Sequence, residues 1–547
     1  MADRPRSGGR VLVDQLLVHG GERVFCVPGE SYLAALDAFR DVPELGLIVC
    51  RMEAGAANMA CAHGQLTGSP GICFVTRGPG AAHASVGVHT ARQGSVPMIL
   101  LVGQVPRGHR GREAFQEVDI ETMFAPLAKW VATVDAPGRI PELVGRAFHV
   151  ATAGRPGPVV LALPEDVLTE TIDVADAAPM SRVRPSPPAA TVSRLRDMVA
   201  GAERPLIIVG GGGWSEPTAA DVLAVSESWG VPVLTAFRCQ DYVDNRSPAY
   251  GGALGLGMDP RLGDRVREAD LLLVIGARLD EPTTGGYTMI EAPRPRQALI
   301  HVHADATELG RVFAPTLAIT SGSGELAAAA RALPAPDRER WTEWSAGAAE
   351  DLARFRRPPP RRDGVDLAHA IAGLSATLPP DTIVTNGAGN YTLWCHRYWR
   401  FARFGTQLGP VSGAMGYGVP AAVAAKLAHP GRPVLSFNGD GCFLMCGQEL
   451  ATAVRHGANA VFVVIDNGSY GTIRMHQERH YPGRPSGTDL VNPDFAAFAR
   501  SFGLDAHSVA DTDELVAAVS AGLRGERPAL VHVRVSPEVL TPPPPGP

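Results

Sequence analysis

The sequence has no dense run of lysine or arginine, and a formal net charge of -6 over 547 residues leaves no basic stripe. That excludes a nucleic-acid surface, so anionic small molecules have to be held locally by backbone amides, a metal or single arginines. An apolar run of membrane-spanning length and a secretory hydrophobic segment are also missing. The N-terminal MADRPRSGGR is short, polar and basic, and the VLVDQLLVHGG that follows reads as an amphipathic helix. Nor is there a paired cysteine framework. Cys26, Cys50, Cys61, Cys73, Cys239, Cys395, Cys442 and Cys446 are scattered, several inside apolar runs. They read as buried free thiols of a reducing cytosol, and Cys442 and Cys446 lack the nearby histidines of a metal site. A cytoplasmic protein without membrane or nucleic-acid partners is the expectation.

What is present is an ordinary globular balance, 45% hydrophobic and 19% charged, on a chain long enough for two or three domains. Apolar strand-like runs alternate with helical patterns almost throughout, which predicts parallel α/β architecture. Residues 175 to 191, rich in Pro and Ala, and residues 334 to 364, with Pro334, Pro336, Pro358, Pro359 and Pro360 around a charged helical segment, break the rhythm and read as connections. The expected fold is therefore three doubly wound parallel-sheet domains, at 1–174, 192–333 and 365–540. The terminal TPPPPGP reads as a mobile tail. Strands are expected at GLIVCR, GICFVTR and PMILLVGQ, then PLIIVGGGG, LLLVIGAR and ALIHVHAD, then TIVTNG, PVLSFNGD, AVFVVIDN and ALVHVRV. Ligands of such sheets bind beyond the carboxyl ends of the strands.

The stretch PVLSFNGDGCFLMCGQELATAVRHGANAVFVVIDNGSYG parses as strand, Gly439-Asp440-Gly441 turn, helix, strand and then Asn467. A right-handed crossover brings Asp440 and Asn467 to the same sheet edge. A carboxylate beside an amide oxygen suits a hard cation, and the glycines admit a phosphate at the following helix start. Gly-Asp-Gly alone is equally a capped tight turn; the addition of Asn467 favours the metal reading. The segment resembles the signature of thiamine diphosphate enzymes, with Asp466 standing where the first of two asparagines is often found. That resemblance implies Mg2+ held by Asp440, Asn467 and the carbonyl of Ser469. It also implies cofactor contacts at Gly387, Ala388, Gly389 and Asn390 of TNGAGNYTLW, at Gly413 and at Gly439, Gly441, Cys442, Tyr470 and Gly471. Met415 of GPVSGAMGYGVPAA would sit beneath the cofactor; without the family it is as readily a core methionine.

Glu53 follows GLIVCR and opens EAGAANMACAHG, where small residues leave room for a planar ring. By itself a glutamate at a helix start only favours the macrodipole. The surrounding Glu-x-Gly-Ala pattern resembles acetolactate synthase, with Met52 departing from a common histidine. The resemblance makes Glu53 the carboxylic acid that assists the cofactor's aminopyrimidine in acting as a base. RGPGAAHASVGVHTARQGSVPMILLVGQV resembles the segment lining the pyrimidine, with Pro79 in its turn, and Gly29 falls in the same group of contacts. AFQEVDIETMFAPLAKW matches the same family, making Gln116 the substrate-side amide; Lys129 matches a family lysine. Relatives of this kind join Glu53 and Asp440 across a subunit boundary, which implies a homodimer as minimal unit and a homotetramer as the common assembly.

LIIVGGGGW, with Gly210 to Gly213, resembles the middle domain of acetolactate synthases, which holds FAD without redox use. Gly276, Arg278, Asp280 and Thr284 fall on that pattern. Asp259 and His303 depart from it, so a bound FAD and a vestigial site both stay open. The family's reaction is decarboxylation of a 2-oxo acid, usually pyruvate, and transfer of the acyl carbanion to a second carbonyl. Two departures fall where substrate is expected: Glu30, among the cofactor contacts, replaces a glycine, and His476 stands for a tryptophan. Each also reads blandly, Glu30 as a helix N-terminal charge and His476 as a solvated loop residue. If they line the pocket, the acceptor differs from 2-oxobutyrate, and a related decarboxylase or C–C hydrolase is the alternative. A nucleotide-dependent oxidoreductase leaves Glu53 and the Asp440–Asn467 pair unexplained, and an inactive scaffold predicts losses that have not occurred.

Overall fold

A computed structural model describes residues 5–544. Three six-stranded sheets, every pair within them parallel, account for the three expected domains. Each strand run named from the sequence forms a strand. Their continuous apolar character is what burial on both faces by helices demands.

In the N-terminal domain the spatial order is Gly46–Val49, Arg23–Cys26, Gly71–Val75, Met98–Gln104, Pro158–Pro164, Trp130–Thr133. The C-terminal domain repeats it with Gln407–Leu408, Ile383–Asn386, Val434–Gly439, Val461–Asp466, Ala529–Arg534, Asp505–Val509. Both thus read 2-1-3-4-6-5, and in both the chain reverses direction across the sheet between strands 1 and 3. The central domain has the dinucleotide-fold order 3-2-1-4-5-6: Tyr250–Ala253, Val233–Thr235, Pro205–Val209, Leu271–Ile275, Ala298–His303, Leu317–Thr320. A short antiparallel pair, Arg6–Ser7 with Thr171–Ile172, ties the ends of the first domain together.

The second connection holds the helical segment expected of it, and is anchored more firmly than its prolines suggest. Residues 334–364 are largely folded, with helix Thr342–Phe355 preceded by a turn of 3-10 helix at Arg338–Trp341. Trp341 is fully buried and donates its indole N–H to the Ala202 carbonyl at 3.0 Å, while Trp344 does the same to Pro205. Proline count concealed an apolar anchor that welds this segment to the central sheet. At the terminal segment, Arg397 donates to the Pro543 carbonyl at 2.5 Å, which anchors the chain at that residue. Pro545, Gly546 and Pro547 lie outside the described residues.

All eight cysteines are buried and free. Among the described residues no helix is long and apolar enough to cross a membrane.

Burial holds two histidines neutral: desolvation lowers His63 and His303 to about 4. Both are 4% exposed. In the unfolded chain they take a proton near pH 6.5, which the folded state refuses, so stability falls as pH drops below that value. We expect a loss on the order of 2 kcal/mol per histidine between pH 7 and 5, read from urea midpoints, and a shallower pH slope in His63→Asn.

Candidate active site

The helix and strand ends of the C-terminal sheet's switch point open into a cavity of about 460 Å3. Its walls hold Asp440, Asn467 and Ser469 together with Ala388, Gly389, Asn390, Gly413, Met415, Gly439, Gly441, Cys442, Tyr470 and Gly471. Gly439 pairs with Ile465 across adjacent parallel strands, so Asp440 and Asp466 leave the sheet side by side. Asp440 opens the helix Asp440–Leu444 and accepts from its own Gly441 amide at 2.9 Å. Gly387 stands behind the wall rather than in it. A Cβ there would overlap the Cys442 sulfur, and its carbonyl accepts from Arg238 at 3.0 Å.

Two carboxylates this close repel unless a donor lies between them. Asn492 supplies it, giving 2.7 Å to Asp440 and 2.8 Å to Asp466. His532 lies 3.0 Å from the other Asp466 oxygen and leans on Ser508. Burial, reinforced by the charge of Asp466, pushes Asp440 above the usual carboxylate range. Burial also acts on Asp466, but the bonds from His532 and Asn492 outweigh it and hold that carboxyl low. Among the described residues Asn467 Oδ1 accepts the Ser469 amide alone, at 3.1 Å, and an amide oxygen has a second lone pair. Asp440, Asn467 and the Ser469 carbonyl form an oxygen donor set suited to a hard divalent cation that keeps other ligands from phosphate and water.

Asn390 lines the cavity but is fully engaged: its side chain bonds Thr472 at 3.0 Å and the Leu540 carbonyl at 2.8 Å. It fastens the C-terminal segment over the site. His476 lies on helix Gly471–His480, exposed and outside the cavity wall.

The N-terminal residues gather separately, with none in that cavity wall. Glu53 opens the helix Glu53–Thr67, and its Oε2 lies 3.0 Å from His83 Nδ1. Gly29 packs directly on Thr76, and Pro79 belongs to the start of helix Gly78–Gly94, beside Glu53. The Gln116 carbonyl accepts from the Gly78 amide at 2.9 Å and adopts φ +63, fixing the loop to that turn. Arg77, largely buried, lies 2.8 Å from Glu165 and 3.5 Å from Glu30, whose side chain is exposed. Lys129 is remote from this group; it donates to the Val150 and Ala153 carbonyls as a structural brace. His83, Arg77 and Asn492 were missed from the sequence. Only Asn492 left a signal, since two adjacent strand-end carboxylates demand a bridging donor.

Comparison with known proteins decides what these two half-sites belong to. Residues 6–123 match the N-terminal, 192–330 the central and 387–533 the C-terminal domain of thiamine pyrophosphate enzymes, pyrophosphate being the older word for diphosphate. The acetolactate synthase large subunit of Parasynechococcus marenigrum (strain WH8102) is 33% identical over 97% of this chain and 87% of its own length. Isozyme 2 of Escherichia coli (strain K12) is 31% identical over 97% of this chain and 95% of its own, and the probable acetolactate synthase large subunit of Methanocaldococcus jannaschii is 31% identical over 99% and 94%.

The chain belongs to the acetolactate synthase-like family of thiamine diphosphate enzymes.

It is accordingly a thiamine diphosphate-dependent enzyme of the carboligase and lyase type. Asn492 bridges Asp440 and Asp466 at the polar floor of the cavity. Asn492→Ala should weaken divalent-cation binding about 10-fold or more, measured by calorimetric titration of Mg2+ with thiamine diphosphate present, while leaving the fold intact.

Proposed function

We propose that the enzyme uses thiamine diphosphate and Mg2+ to decarboxylate a 2-oxo acid, with pyruvate the first candidate, and joins the acyl unit to a second carbonyl. The observation that carries this reading is the convergence of Asp440, Asn467 and Ser469 in one cavity with Met415 in its wall. Relatives named acetolactate synthase over nearly the whole chain support the donor and the carboligation. When bound, thiamine diphosphate supplies the electron sink that lets a 2-oxo acid lose CO2 and its acyl carbon attack a carbonyl.

The chain's own residues do the rest. Asp440, Asn467 and the Ser469 carbonyl hold the cation, and the amides that open the Asp440–Leu444 helix receive phosphate oxygens. Glu53, in a largely buried position against His83, would supply the carboxyl group that pairs with the aminopyrimidine ring. Gln116, on a loop, and Glu30, at the start of the 3-10 turn Glu30–Tyr32, stand at the same N-terminal sheet edge, where substrate is expected, and Arg77 lies 3.5 Å from Glu30.

The N-terminal group lies apart from the C-terminal cavity, which favours an active unit of two chains, each completing the other's site. Exposed apolar side chains beside both halves support this. Leu33 and Phe115 flank the N-terminal group, and Leu444, Met445, Ile473 and Val491 flank the C-terminal cavity. A homotetramer is a pairing of such dimers. The buried free cysteines favour a cytosolic setting.

FAD does not fit the central domain. The crevice beyond Pro205–Val209 and Leu271–Ile275 is reduced to cavities of about 60 and 40 Å3, against about 300 Å3 or more for an ordinary cofactor site. Trp214 donates to the Gly210 carbonyl at 2.8 Å and Tyr242 to that of Gly211 at 2.6 Å, while Gly212 abuts the Ser95 carbonyl of the N-terminal domain. Arg155 is paired with Glu308 at 2.9 Å instead of standing free for a phosphate. Asp259, the departure noted in LGMDP, caps the helix Pro260–Glu268 and binds Arg354.

Purified enzyme should show no flavin absorbance near 450 nm, and added FAD should leave its thermal midpoint unchanged. With thiamine diphosphate, Mg2+ and pyruvate it should release CO2 and, with a suitable aldehyde or ketone present, form a hydroxyketone. Release of CO2 and free aldehyde under every acceptor would make it a decarboxylase, and cleavage of a 1,3-diketone without CO2 a C–C hydrolase. Glu53→Gln should bind cofactor and cation normally but exchange the thiazolium C2 proton at least 100-fold more slowly in a deuterium-quench assay. A near-normal exchange rate would remove Glu53 from its role.

A further inference from the structure

Helix Glu53–Thr67 begins without a cap of its own. Its N-cap residue is Met52, which has no side-chain oxygen, and the third helical position is Gly55. In a capping box that third position carries Glu or Gln, whose carboxyl group reaches back to the N-cap amide. Here the space is filled from 394 residues away, counting 449 − 55. Glu449 is fully buried, on the 3-10 turn Gly447–Glu449 of the C-terminal domain. Its Oε1 accepts from the Arg51 amide at 3.1 Å and the Met52 amide at 3.0 Å. Thr452 donates to Oε2 at 2.5 Å. A Cβ on Gly55 would overlap the Glu449 carboxylate, so the glycine is what admits it.

We propose that Glu449 is the positioning residue for Glu53: a carboxylate lent by the diphosphate-binding domain that caps the helix on which Glu53 is the first residue. The proposal rests on the role of Glu53 given above. A buried carboxylate accepting three donors is firmly held, and it fixes the amides of Arg51 and Met52, the two residues that lead into Glu53. Without it, the N-cap amide of Met52 and the Arg51 amide lose this acceptor, the start of the helix loosens, and the Glu53 carboxyl is no longer held to the fraction of an ångström that proton transfer requires. Gly447–Glu449 also follows directly on the helix that Asp440 opens, so one continuous segment aims the cation ligand and steadies Glu53 of the same chain.

The test uses Glu449→Ala, Glu449→Gln and Gly55→Ala in the full-length enzyme. In apo protein, backbone amide exchange of the segment 51–56 should accelerate at least tenfold in Glu449→Ala and Gly55→Ala, with segment 461–469 unchanged. In the loaded enzyme both should bind thiamine diphosphate and Mg2+ within about threefold of wild type, yet exchange the C2 proton at least tenfold more slowly. Glu449→Gln, which keeps Oε1 as an acceptor, should recover most of the protection and rate. Wild-type amide protection and wild-type C2 exchange in the two alanine variants would overturn the proposal. Should Glu449→Ala not fold, the near-isosteric Thr452→Val, which frees the carboxylate from one of its donors, carries the same readouts and the same two outcomes. If Glu53→Gln itself exchanges normally, it is the role of Glu53 that fails, and amide protection still tests the cap.

Discussion

One helix pair fixes the architecture of the whole active unit. Helix Glu53–Thr67 packs on Gly418–Ala428, and both are rich in small residues buried in one core, among them Ala56, Ala57 and Ala60 of the first and Ala421, Ala424 and Ala425 of the second. All are buried in a single core that spans the N- and C-terminal domains. Small side chains let two helix backbones approach closely, so the interface is dry and has little freedom to slide. Glu53 sits at the end of this helix, and the other helix follows Met415 by a few residues. Packing between the domains therefore sets both half-sites, and it keeps the Glu53 group out of the Asp440 cavity. On the proposed reading, dimer formation is then a requirement of chemistry, not an addition to it.

Charge imposes the second constraint. Parallel strands in register deliver Asp440 and Asp466 to neighbouring positions at one sheet edge, where desolvation penalises both carboxylates. Asn492 and His532 divide the burden unequally, holding one acid low while the other is raised. The asymmetry leaves Asp440 as the group whose charge a bound cation would stabilise most, with Asp466 already satisfied by protein donors.

How much of this was legible follows from sequence distance. Strand, Gly-Asp-Gly, helix and Asn467 form one crossover unit, so their convergence could be argued from handedness alone. The strands were legible because burial on both faces leaves unbroken apolar runs. Asn492 and Glu449 were not, because each acts on groups that meet only through tertiary packing. Gly55 was noted as space for a ring, although its neighbour is the Glu449 carboxylate. Trp341 and Trp344 were visible in residues 334–364, but the prolines around them drew the segment toward a linker reading. The cofactor role expected of Asn390 depended on family pattern, and Thr472 and Leu540 show its amide already committed.

The central domain separates fold from function most sharply. It alone has the strand order of a dinucleotide fold and a glycine-rich turn after its first strand. Yet that turn is positioned against Ser95 and Pro156 of the N-terminal domain, and Arg238 reaches across to the carbonyls of Gly387 and Pro410. The glycines that would let a diphosphate approach the backbone here let another domain approach it. Arg238 is fully buried over Phe237, with its charge spent on carbonyls of the C-terminal domain. The same close approach that makes a ligand site in one sheet makes an interdomain joint in another. What distinguishes them is the partner presented to the turn, and strand order does not encode it.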